Sequence, residues 1–192
     1  MKTIARSLLV TLPLLCATVA LAQHQALTLN PDSSDVKFTL ASNHDTTNGT
    51  FHVEKGTIDF DRNSLKMSGL VVVAAGSGNT GSSGRDKKMT TEVLEAAKFA
   101  EVTFVPQSYQ GSIAPAGDST IQVTGIFTLH GTAHDLTVPM QIHIEGARCT
   151  AKTHFEVPFV EWGLKDPSWF VLKVAKQADV DLSLVGSLSP AS

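Results

Sequence analysis

Cysteine, positive charge and long apolar runs are all scarce in this 192-residue chain, and each scarcity excludes something. The two cysteines are Cys16 and Cys149. Cys16 lies in an N-terminal apolar run, "SLLVTLPLLCATVALA", that follows Lys2 and Arg6 and ends on Ala20-Leu21-Ala22. A basic start, a short apolar core and an A-x-A close read as a secretory signal peptide spanning 1–22, cut after Ala22. Leu15 is not a small residue, which argues against lipidation at Cys16. The mature domain, 23–192, then holds Cys149 alone, has no internal disulfide, and must be stabilised by a packed core. The default reading of Cys149 is a small buried side chain on a strand.

No other stretch approaches the roughly 20 apolar residues of a membrane span, so no integral membrane segment is expected in the mature chain. Of the 15 basic residues, Lys2 and Arg6 leave with the signal, and 13 then face 18 acidic ones, a formal charge of −5. That overall balance argues against nucleic acid or an anionic membrane as the main partner. About 170 residues suit one domain.

What is present is strand rhythm. Val36, Phe38 and Leu40 alternate with Lys37 and Thr39; Ile58 and Phe60 alternate in "GTIDFD". "SGLVVVAAG" is a more continuous apolar strand. Val102 and Phe104 open another strand, and Ile121, Val123, Gly125, Phe127 and Leu129 form a long one. Leu136, Val138, Met140, Ile142 and Ile144 alternate strictly. "CTAKTHFEVPF", "WFVLKVA" and "ADVDLSLVG" complete the series, with Gly56, Gly111, Gly131 and Gly146 read as turns. Many strands without interleaved helices predict an all-β, antiparallel sheet. Closure into a barrel would remove its edges, and a sandwich is the alternative.

One stretch breaks the rhythm. In "RDKKMTTEVLEAAKF", Met89, Val93, Leu94 and Ala97 recur at helical spacing, which predicts one short helix with Thr90 or Thr91 as its cap. Its apolar stripe has to lie across an open barrel end or against the wall beside it. A plain crossover that plugs the core explains it equally well.

Several apparent chemical motifs weaken on inspection. "GSGNTG" at 76–81 matches G-x-G-x-x-G, but no βαβ unit surrounds it, so it reads as a flexible loop. His130 and His134 flank Gly131 at a strand end, where helical i,i+4 spacing does not apply, and His143 and His154 fall on the outward face. A histidine metal site is the weakest reading. No serine sits in a G-x-S-x-G elbow. Asp59 and Asp61 face outward together around Phe60 rather than pairing as acid and base.

The ordered set "SSDVKFTL", "GTFHVEKGTIDFD", "GRDKKM", "FAEVTFVP" and "VTGIFTLHGTAHDLTVPMQI" resembles the YceI-like family of exported, lipocalin-like β-barrels across roughly residues 26–186. The chain departs from the family where Lys88 stands in place of a usual histidine, and in the longer aromatic "WGLKDPSWFVLKV". The resemblance implies an antiparallel barrel with one short helix between strands, a bacterial periplasmic location, and a bound polyisoprenoid or quinone-type lipid without catalysis. No cofactor beyond such a lipid is implied.

The candidate tunnel lining is Phe38, Leu40, Phe104, Gly125, Phe127, Met140, Ile142, Phe155 and Leu172. Gly125 and the small residues of "GLVVVAAG" would leave room inside. Arg85, Trp162 and Trp169 are candidates for the mouth, where Arg85 could neutralise a diphosphate head group. Burial of one methylene contributes about 0.8 kcal/mol, so ten enclosed methylenes offer about 8 kcal/mol before entropic costs. The competing reading is an exported scaffold whose barrel is filled by its own side chains. A homodimer is compatible with either.

Overall fold

The computed structural model describes residues 24–191, so the N-terminal segment read as a signal peptide lies outside the described residues. Nine strands run in chain order: β1 (His24–Leu29), β2 (Asp35–Ala41), β3 (Thr46–Asp61), β4 (Met67–Asn79), β5 (Glu101–Gly111), β6 (Gly117–Leu129), β7 (Thr132–Glu145), β8 (Arg148–Val157) and β9 (Ala178–Pro190). A 3-10 turn at Pro31–Ser33 separates β1 from β2. Both pair with β3 on one side and β9 on the other, β1 along the end of each partner and β2 along its start. They are therefore one interrupted stave. The remaining strands pair in sequence, and β3 also pairs with β4, so eight staves close into an antiparallel barrel. The ring of pairings is closed, although β7 and β8 pair only over Gln141–Glu145, and the sandwich alternative is ruled out.

Alternation survives where the register is unbroken. Along β7, Val138, Met140, Ile142 and Ile144 are buried while Thr137, Pro139, Gln141 and His143 are exposed. β3 behaves differently. Phe51 packs against the core at odd parity, yet Ile58 and Phe60 do so at even parity. A register shift between Val53 and Lys55 flips the strand over, because one extra residue reverses the face of everything beyond it. Gly56 lies within this strand rather than in a turn. A Cβ there would collide with Leu29.

The two long connections share one barrel end. One end carries the short loops 62–66, 112–116 and 146–147. The other carries the long segments 80–100 and 158–177 with the turns 42–45 and 130–131. The helix belongs to that second end, but its boundaries differ from the predicted ones. It is an α-helix, α1 (Ser83–Lys88), continued by a π-helical turn at Met89–Val93. Ser82 is the N-cap residue, and Thr90 and Thr91 instead donate to the carbonyls of Asp86 and Lys87, both at 2.8 Å. Glu95 takes a left-handed φ of 45°, which ends the run before Ala97.

Two further expectations are corrected. The start of "GSGNTG" is the end of β4, not a flexible loop. "WFVLKVA" is not a strand: Trp169 and Leu172 form an isolated bridge within the long 158–177 connection. Its apolar residues mix two faces, so alternation there carried no sheet information.

Candidate functional site

The barrel is hollow. A cavity of about 470 Å³ runs within it, inside the 300–1,000 Å³ range of small-molecule sites. Its wall is aliphatic and aromatic, and the charged residues on it are Asp45, Arg85 and Lys88. All three belong to the end that carries the long connections. An apolar shaft with charge confined to one rim suits a long apolar molecule bearing at most a polar head.

The candidate lining residues fall as follows. Phe38, Leu40, Phe104, Phe127, Met140, Ile142, Phe155 and Leu172 are all on the cavity wall. Gly125 shares their face but gives no open space. The Phe104 ring lies over it, with Cζ 2.7 Å from where a Cβ would stand, and Val105 O is 2.5 Å from the same point. The room expected from this glycine is filled by a neighbour's ring. Val71 and Val73 of "GLVVVAAG" do reach the wall.

Sequence reasoning missed Phe51, Phe159 and Leu164, and named Met89, Val93 and Leu94 only as a helix stripe. All six line the cavity. Phe51 was hidden by the β3 register shift. Phe159 and Leu164 lie in an irregular connection with no period to read. They join Leu129 and Val157 in a second apolar cluster that also takes in Val93, Leu94 and Trp162. The helix thus lays its apolar side chains into the barrel end, and Gly78 provides the close approach for Met89.

At the rim, Arg85 Nη1 donates to Thr47 Oγ1 at 2.8 Å. Asp86 turns away and accepts from Thr80 N at 2.8 Å and Thr80 Oγ1 at 2.6 Å, which holds the helix entrance. Lys165 of the 158–177 connection pairs with Glu92 of the helix at 2.7 Å, and this contact pulls the Glu92 carboxyl below the usual carboxylate range. The two tryptophans separate. Trp162 stacks on His134 with ring centroids 4.0 Å apart and is not on the cavity wall. Trp169 is exposed.

The remaining histidines form no centre. His130 meets Glu95 at 2.7 Å, His143 meets Asp118 at 2.7 Å, and His154 meets Asp181 at 2.9 Å, the last two on the exposed face. Among the described residues, no group of three or more His, Cys, Asp or Glu is placed to hold a metal ion.

A match to the YceI-like domain spans residues 27–186. The chain belongs to the YceI-like family. It is 30% identical over 148 residues, 72% of each chain, to a UPF0312 protein of Pseudomonas fluorescens. Among solved structures, the fold is similar to that of BcnA of Burkholderia cenocepacia, with a TM-score of 0.67 and 22% identity, covering 82% of this chain and 99% of that one. It is also similar to a polyisoprenoid binding domain from Saccharophagus degradans implicated in plant cell wall breakdown, with a TM-score of 0.68 and 16% identity, covering 85% and 98%. At these identities the likeness to the two structures concerns the fold. Within this YceI-like barrel, the side-chain chemistry of the wall has to be read from the chain itself.

Two wall residues carry predictions. Cys149 is buried and lines the cavity, and burial pushes its thiol up to about 11 from an ordinary value of 9.0. Between those values the unfolded chain has lost the proton that the folded chain keeps. Stability is therefore intact below about pH 9 and falls as pH rises toward 11. Cys149→Ala should flatten the fall in melting temperature across that window, read by thermal melts from pH 8 to 11. The Thr153 hydroxyl is buried and has no hydrogen-bond partner. A polar group in that state costs about 1–3 kcal/mol. Thr153→Val, similar in shape, should raise stability by about 1 kcal/mol in a denaturant titration.

Proposed function

We propose that this YceI-like protein binds a long apolar lipid, of polyisoprenoid or quinone type, inside the barrel and carries it without chemical change. The observation that supports this most directly is the apolar cavity with charge at one rim. Nothing in such a shaft needs a countercharge, and each enclosed methylene adds about 0.8 kcal/mol. The Saccharophagus degradans domain, which shares the fold, is a polyisoprenoid binding domain, and this is consistent with the same ligand class here. In this reading Phe38, Leu40, Phe104, Phe127, Met140, Ile142, Phe155 and Leu172 contact the chain of the lipid, and Arg85 and Lys88 stand near its head. The basic, apolar and small-residue pattern of residues 1–22 supports export, and the family supports a bacterial periplasm as the destination.

The test is native mass spectrometry of protein purified from bacteria, followed by delipidation and reloading with a polyprenol or a quinone. A mass increment that matches one isoprenoid lipid, removed by organic extraction and restored by reloading, is the expected result. Protein that arrives empty and refuses both probes would overturn the reading and return the scaffold alternative.

A further inference from the structure

The Trp169–Leu172 bridge is a tight hairpin: Trp169 N donates to Leu172 O at 3.0 Å and Leu172 N to Trp169 O at 2.7 Å. Its two central residues are Phe170 and Val171, positions where turns favour glycine, asparagine or aspartate. Phe170 is 92% exposed, Trp169 64% and Val171 62%. This tip is held rather than loose. Asn43 Nδ2 donates to Val171 O at 3.0 Å, Lys173 N to Asn43 Oδ1 at 2.9 Å, and Val174 N to Ser168 Oγ at 2.9 Å. Leu172 and Val174, on the same strip of chain, line the cavity. Leu172 thus links the exposed tip directly to the cavity wall.

We propose that Trp169, Phe170 and Val171 dock the barrel mouth on a phospholipid bilayer, so that an apolar guest passes between bilayer and cavity without crossing water. The inference rests on the lipid-binding reading for its purpose, though not for its geometry. Charge favours a phosphate-bearing surface. The chain as a whole is negative by three, yet the 158–177 connection carries Lys165, Lys173 and Lys176 against Glu161 and Asp166. Helix α1 adds Arg85, Lys87 and Lys88 against Asp86. Five acids of this end are engaged within the protein, Glu161 being the exception among the described residues. Asp86 accepts from Thr80, Glu92 pairs with Lys165, Glu95 meets His130, and Asp166 accepts from Ser168 N. Asp45, on the 42–45 turn, accepts from Ser42 Oγ. Size argues against a protein partner. Aromatic side chains bury about 150–250 Å² each, so the tip offers on the order of 400 Å², half the roughly 800 Å² per partner of a stable complex. A bilayer sets no such minimum, and interfacial binding grows with apolar area plus attraction to anionic lipid.

The experiment is flotation of the exported protein with vesicles of phosphatidylcholine and phosphatidylglycerol, beside the double variant Phe170→Asp, Val171→Asp. Both are taken after removal of residues 1–22, checked by intact mass, so flotation reads the tip. The vesicle-bound fraction should fall at least tenfold in the variant, and the blue shift of tryptophan fluorescence on vesicles should vanish with it. Melting temperature, and cavity lipid content after reloading from detergent-solubilised polyprenol, should not change, since both altered side chains face solvent and neither lines the cavity. Equal flotation of the two proteins would overturn the proposal, and so would a wild-type chain that ignores vesicles. Concentration-dependent dimerisation lost in the variant would also overturn it, in favour of a second copy of the chain. A cavity that accepts no lipid, with vesicle binding still tip-dependent, would sink the lipid-carrying reading while leaving the docking surface in place.

Discussion

Ala151→Phe is expected to give a folded barrel that takes up at least tenfold less lipid. Ala151 is buried on β8, paired with Ile142 on one side and Leu184 on the other, and all three line the cavity. A phenyl ring added there points into the hollow, at a level flanked by aliphatic side chains. Extra bulk in a filled core costs about 1–3 kcal/mol through strain. Here the ring enters open volume, so the change in melting temperature should be small. Each methylene it displaces from a guest forfeits about 0.8 kcal/mol, and two already exceed a tenfold change in affinity. Native mass spectrometry and a thermal melt on the same sample measure both effects. Wild-type lipid occupancy in a folded variant would show that the guest does not pass this level. Collapse of the fold would show that the interior is tighter than its cavity implies.

Gly125→Phe should act in the opposite way, damaging the fold before it blocks the cavity. The sequence suggested a vacant inward position on β6. The structure places Val105 O 2.5 Å and Phe104 Cζ 2.7 Å from the first carbon of any side chain added there. A ring can rotate away from the new atom, but a sheet carbonyl cannot. Even Gly125→Ala should cost about 1–3 kcal/mol, lowering the melting temperature by roughly 2–4 °C per kcal/mol in a domain of this size. Phe104→Ala in the same chain should not restore stability, because the carbonyl remains. A Gly125→Ala protein that melts with wild type would contradict the close approach.

Legibility followed pairing regularity. Strands β6 and β7 share a long unbroken register from Gly117↔Ile144 to Leu129↔Thr132. Their inward residues were accordingly readable from alternation, and Met140 and Ile142 stand on the cavity wall where period two puts them. Phe51 was not readable because a bulge farther along β3 reverses the face, and nothing local marks that extra residue. Gly125 was legible as inward but not as covered, since the covering ring comes from the adjacent β5. Phe159 and Leu164 reach the cavity from a connection whose path is set by the barrel end it crosses.

By itself, the sequence determined the fold class, the family, the antiparallel meander and most of the inward face, because strand periodicity is a local property of the chain. Only the tertiary structure decided that β1 and β2 form one stave, that Gly125 is filled by a neighbour, and that Trp162 and Trp169 part company. The size of the hollow belongs with these. It is the difference between the circumference set by eight paired staves and the side chains pointing inward, and no stretch of sequence contains both terms.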